Sequence, residues 1–294
     1  MASDLQSVLD DIRTTRREMF VDLAQVPEEH LNKMTRWGYG PTNARYMFLR
    51  FSDHEEEHGL QIEHTLRGML GWQPSHAQLI LGAAERTRGD LLAALVGLTD
   101  DDLDAVPVEP AGEWPLSQTL VHAIATEHSY RINTLHAVER HRAGEPHGEL
   151  PGRGDDTGYR NLSLNEMLAE LDSARNQSIA ELSSLSDDDL RAPAVWSGIE
   201  LDVNFRLMRF SHHEREHTAQ IEKWRVQTGK IATDAQRLLG LSWRTHGTVC
   251  GYLVGVPDEL FTRDPGDGEW SVQECLDHMR GSDGFFKRMI GAAE

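Results

Sequence analysis

Two stretches carry the residues best equipped for chemistry, RFSDHEEEHGLQIE at 50–63 and RFSHHEREHTAQIE at 209–222. Each sets two histidines four residues apart, His54 with His58 and His213 with His217. On a helix that spacing places both on one face with Cβ atoms about 5–6 Å apart. Both imidazoles can then reach one ion at about 2.0–2.1 Å. The second stretch also fits the HExxH spacing of zinc peptidases and the HxxEH of their inverted relatives. Such a peptidase completes its site with a downstream Glu or His. Twenty residues beyond the second histidine this chain offers Gln78 and Arg237, which makes a metallopeptidase the remote alternative.

A single H-x3-H is ordinarily a solvated polar face. Here ten of the fourteen positions are identical at a constant offset of 213 − 54 = 159, and the offset also aligns Trp37 with Trp196. A second pair, GEWPLSQTLVHA at 112–123 and GEWSVQECLDHM at 268–279, lies at an offset of 156. In both a histidine follows tryptophan by eight residues, Trp114 to His122 and Trp270 to His278. Two copies that differ at most surface positions yet share these side chains point to a function for them.

The elements that would position these residues are helices. Apolar residues recur at three and four residues, as in LNEMLAELDSARNQSIAEL, and no alternating run is long enough to suggest a sheet. Eight main helices are expected, about 3–24, 41–70, 75–98, 116–142, 163–186, 202–228, 232–256 and 271–292, with Ser117, Ser163 and Ser271 as N-caps. The class is all-α, with two four-helix bundles. The Gly-, Pro- and charge-rich stretch 141–161 is either a linker or a long crossover loop.

Composition narrows the partners. The chain has 294 residues with 29 basic and 48 acidic side chains, giving 29 − 48 = −19. That charge repels nucleic acid and anionic membrane, so neither is expected as a partner. Two cysteines, Cys250 and Cys275, form no framework and suggest a reducing, cytoplasmic setting. The opening residues lack the apolar core of a signal peptide, and no stretch approaches the roughly 20 apolar residues of a membrane helix.

W-x7-H combined with a later H-x3-H-x2-Q-I resembles the DinB/YfiT-like superfamily of metal-binding four-helix bundles; the second motif is His54, His58, Gln61, Ile62 and again His213, His217, Gln220, Ile221. The resemblance covers essentially the whole chain, twice. It implies one divalent ion per bundle, zinc, nickel, iron or manganese, held by three histidines, hence up to two ions on His54, His58, His122, His213, His217 and His278. The order of the halves departs from the family. Residues 75–230 have the family order, which would leave 1–74 plus 231–294 as a second bundle closed by the two chain ends. Alternatively 1–145 and 160–294 are tandem permuted bundles. His122 therefore joins either pair.

The resemblance further implies a metal-dependent enzyme, a thiol S-transferase or hydrolase that activates a low-molecular-weight thiol cosubstrate or water on a small-molecule substrate. The alternative is a non-catalytic metal- or small-molecule-binding module. A homo-oligomer is compatible with either. Glu55, Glu214, Gln61 and Gln220 are the candidate catalytic groups, the glutamates as base or hydrogen-bond acceptor and the glutamines orienting water or substrate. A solvated face is the simpler reading of the glutamates. Arg50 and Arg209 suit an anionic substrate group or an ion pair with a nearby glutamate. The four repeated tryptophans are read as core anchors, with pocket lining as the alternative, Cys250 and Cys275 as unreactive, and His64, His76, His128, His136, His141, His147 and His246, which lack counterparts, as surface or loop residues.

Overall fold

The computed structural model describes residues 4–38, 40–107, 112–146, 151 and 156–294. His147 and much of the 141–161 stretch lie outside them. The architecture is all-α. Its helices are α1 Leu5–Leu23, α2 Ala44–His64, α3 His76–Leu95, α4 Leu116–Arg142, α5 Leu164–Leu182, α6 Asp187–Leu190, α7 Val203–Gln227, α8 Asp234–Leu253, α9 Asp258–Phe261 and α10 Val272–Gly291.

Apolar spacing explains why these segments are helices. Along α1, Leu5, Val8, Leu9, Ile12, Met19, Phe20 and Leu23 form one buried stripe; along α5, Leu164, Met167, Leu171, Ala174 and Leu182 do the same. An arginine interrupts each stripe from within, Arg16 in α1 and Arg175 in α5, both 1% exposed. Ser163 caps α5 and Ser271 caps α10, each in a reciprocal box with the glutamate three residues on. Ser117 does not cap α4. That helix starts earlier, after Pro115, whose φ of −65° suits the position before a first turn. The Ser117 hydroxyl instead donates to Asp104.

The expectation of no sheet is corrected by two hairpins, β1 Met34–Trp37 with β2 Gly40–Asn43 and β3 Pro193–Trp196 with β4 Ile199–Asp202. Four-residue strands are too short to show alternation. Ser197 and Gly198 both take positive φ, 52° and 79°, the primed turn that matches strand twist in a two-residue hairpin. The Ser-Gly dipeptide was the available signal.

The chain divides into two compact units. One comprises Met1–Gln73, Arg88–Gly97 and Ile231–Glu294; the other comprises Pro74–Thr87 and Leu98–Lys230. In the first, α2 packs along both α8 and α10, and α1 closes against the same two helices. Ile12, Ile62, Leu66, Val249, Leu276 and Met279 are among the residues of its buried core. In the second, α4 packs against α5 and α7, burying Leu120, Ile124, Leu171, Leu207 and Ile221. Among the described residues no helix is long and apolar enough to cross a membrane.

Candidate metal centres

The first unit gathers His54 and His58 from α2 with His278 from α10; the second gathers His213 and His217 from α7 with His122 from α4. Their Nε2 atoms converge. His54 Nε2 lies 3.1 Å from that of His278 and 3.2 Å from that of His58. His213 Nε2 lies 3.2 Å from that of His122 and 3.0 Å from that of His217. Two nitrogens bound to one ion at about 2.0–2.1 Å stand about 2.9 Å apart at right angles and about 3.3 Å apart at the tetrahedral angle. These two separations in each cluster fit a single ion, and all three ligand atoms of each lie within 4.8 Å of one another.

The glutamines fix which nitrogen is offered. Gln61 Oε1 lies 3.0 Å from His58 Nδ1, and Gln220 Oε1 lies 3.1 Å from His217 Nδ1. A carbonyl oxygen can only accept, so each Nδ1 carries the proton and each Nε2 keeps its lone pair. A proton on His54 Nε2 would satisfy one of its two neighbours, and the same holds for His213. A cation between the three nitrogens satisfies all of them, and the donor chemistry therefore suits a divalent ion.

Burial opposes the charged form of four of these rings. His54 is pushed down to about 4 by burial first, then by His58, Arg50 and His278. His213 is pushed down to about 3 by burial, then His217, His122 and Arg209. Burial also lowers His217 and His278. A neutral imidazole is the form that binds a metal.

Aromatic rings wall each cluster. Phe286 meets His54 edge-on at 5.5 Å, and Tyr130 meets His213 likewise at 5.5 Å. Trp270 stacks on His58, 5.5 Å between centroids and 14° between planes, and also touches His278 edge-on. Trp114 meets His122 edge-on at 5.3 Å. These two tryptophans line the sites rather than anchoring a core, because each lies just ahead of the helix that carries the third histidine. Trp37 and Trp196 sit in the hairpins under Arg50 and Arg209, 5.0 and 4.7 Å from guanidinium carbon to ring centre. Both arginines also pair with the glutamate seven residues on, Glu57 or Glu216.

Glu55 and Glu214 differ from the solvated face first read for them. They are 1% and 3% exposed, on the inward side of their helices. Glu55 accepts from Arg16 at 2.6 Å and faces His246 Nδ1 at 2.9 Å. Glu214 accepts from Thr87 at 3.0 Å and pairs with Arg175 at 3.1 Å. His246, taken for a surface residue, is buried beside Glu55 and Cys250, because helix α8 turns that face into the unit. Burial opposes its charge, yet Cys250 and Glu55 lift it to about 9. Cys275 is pushed up to about 12 by burial, which leaves its thiol inert. The arginines of α1 and α5 were missed, although Arg16 and Arg175 stand at the 159-residue offset and could have been found there.

A cavity of about 440 Å³ opens beside the second cluster, lined by Trp114, Gln118, Val121, His122, Asp156 and Arg160. Arg160 and Asp156 pair at 2.8 Å on its wall.

Residues 83–221 match the family model of the DinB superfamily. The match contains His122, His213 and His217. Comparison with curated proteins and with solved structures gave no match.

Proposed function

From the match of residues 83–221 to the DinB superfamily, we propose that this chain is a metal-dependent enzyme acting on a small molecule, with one divalent ion in each triad. The observation that carries this reading is the convergence of three Nε2 lone pairs in each unit, with a glutamine holding a neighbouring Nδ1. His122, His213 and His217 would hold one ion, and His54, His58 and His278 the other. When bound, the ion supplies Lewis acidity that lowers the pKa of water or a low-molecular-weight thiol toward neutrality. Zinc, nickel, iron and manganese all accept such a donor set.

The protein's own groups do the rest. Gln61 and Gln220 lock the tautomer, and the tryptophans and neighbouring aromatic rings pack against the histidines. The cavity beside His122 gives a substrate a way to the second unit's site, where Gln118 and the Arg160–Asp156 pair offer polar contacts. The buried positions of Glu55 and Glu214, both engaged by arginine, suit support of the ligands better than proton transfer. We read the units as the two bundles expected at 75–230 and at 1–74 with 231–294, in a cytoplasmic protein free of nucleic-acid and membrane partners.

A non-catalytic binding role has one observation in its favour at the first unit: the Trp270 ring lies flat on His58 and covers that ligand. The two sites would then divide the work, the second turning substrate over and the first storing or sensing metal.

The test is metal content per chain after purification without affinity-tag metals and reconstitution with each ion. Two ions per chain are expected, one lost in His54→Ala and the other in His213→Ala. Thiol-transfer assays with electrophiles should then lose activity in His213→Ala. Absence of stoichiometric metal in the folded wild-type chain would end this reading.

A further inference from the structure

The strongest feature outside the histidine clusters is a buried guanidinium in each unit that grips both ligand-bearing helices. Arg16 Nε and Nη2 donate to Asp283 on α10 at 2.6 and 3.2 Å, and Nη1 donates to Glu55 on α2 at 2.6 Å. Arg175 Nε and Nη2 donate to Glu127 on α4 at 2.7 and 3.0 Å, and Nη2 also pairs with Glu214 on α7 at 3.1 Å. Nη1 reaches Glu85 on α3 at 3.4 Å.

The placement relative to the histidines is the same in both. Glu55 directly follows His54, and Glu214 directly follows His213; Asp283 stands five residues after His278, and Glu127 five after His122. Each arginine therefore makes a two-pronged contact with one ligand helix and a single contact with the other. A planar fork with fixed donor directions can set the spacing and rotation of two helices, which a point charge on a flexible stem cannot. Neither arginine touches a ligand histidine. Their contribution passes through the carboxylates.

We propose that Arg16 and Arg175 are positioning residues that hold the two ligand-bearing helices of each unit in the register at which the three Nε2 atoms meet. The inference rests on the metal-binding reading of those atoms. A purely structural ion cluster would stabilise the unit without tuning the site. Positioning links the guanidinium to metal affinity.

The experiment works on the full chain in a His213→Ala background, so that only the first unit's site takes up cobalt(II). Arg16→Lys keeps the charge and loses the fork. Because an unpaired buried charge can prevent folding, the combined variant R16M/E55Q/D283N removes the charges together and leaves His246 free to be neutral. Each variant's fold is checked by circular dichroism. Cobalt affinity is expected to fall about 10–100-fold, the range for groups that orient metal ligands, with a changed visible absorption spectrum. A folded variant with unchanged affinity and spectrum overturns the proposal.

Should the His213→Ala parent bind no cobalt, the metal reading fails by itself. The clamp is then judged without metal, from the distance distribution between spin labels at Leu60 on α2 and Arg280 on α10, both exposed. Broadening in Arg16→Lys supports positioning, and an unchanged distribution overturns it.

Discussion

At the scale of single residues, the hydrogen bond that sets a tautomer matters as much as the ligand that follows from it. Gln220 keeps the His217 Nδ1 proton in place and so presents Nε2 to the cluster. Gln220→Leu removes the acceptor while retaining bulk, and metal affinity of the second unit's site is expected to fall about 10–100-fold with the fold intact. Isothermal titration with zinc measures it, and unaltered affinity would show that packing alone orients the ring. The spacing of His, Gln and Ile was legible in the sequence because all three lie on one helix face. The buried roles of Glu55, Glu214 and His246 were not, because a helix surrounded by neighbours has no single polar side to read from periodicity.

At the scale of elements, close helix approach depends on missing side chains. A Cβ added at Gly89 on α3 would stand 2.6 Å from the Trp243 carbonyl oxygen and 3.2 Å from the Cα of Gly247, both on α8. Backbone cannot yield as a side-chain tip does. Gly89→Ala is therefore expected to destabilise the first unit by about 1–3 kcal/mol, the usual range for overpacking, despite the better helix propensity of alanine. A urea unfolding curve decides it; a midpoint equal to or above wild type would mean the helices slide apart at little cost. Helix positions came through the sequence well, as the stripes of α1 and α5 show. The hairpins did not, because four-residue strands take their identity from a turn and from the helices beneath them.

At the scale of the whole molecule, buried titratable groups make stability depend on pH. His246 faces Glu55 from α2, Asp283 from α10 and Cys250 on its own helix, with Arg13 of α1 donating to that thiol. Its folded pKa of about 9 lies above the unfolded value of about 6.5. The charged form therefore stabilises the fold fully below about pH 6.5, and that contribution disappears as pH rises through 9. Cys275, held near 12 against about 8.5 when unfolded, acts in the same direction above pH 8.5. Urea midpoints measured from pH 6 to 10 should decline, and His246→Gln should flatten the part between 6.5 and 9. A flat wild-type profile would show that the pKa of this imidazole is not raised in the fold.

The sequence by itself determined the all-α class, the helix cores and the duplicated histidine motifs; the grouping of histidines in threes came from the family resemblance. The class, the cores and the H-x3-H pairs follow from local spacing, since residues three or four apart on a helix keep their relation wherever the helix packs. It left open which H-x3-H pair meets His122, because both pairs are chemically identical and lie far from it along the chain. Only the tertiary structure set His122 with His213 and His217, and His278 with His54 and His58. It also buried Arg16 and Arg175 between the ligand helices, a choice made by packing: a long charged side chain in an apolar stripe reads as an irregularity until the carboxylates of two other helices are brought to it.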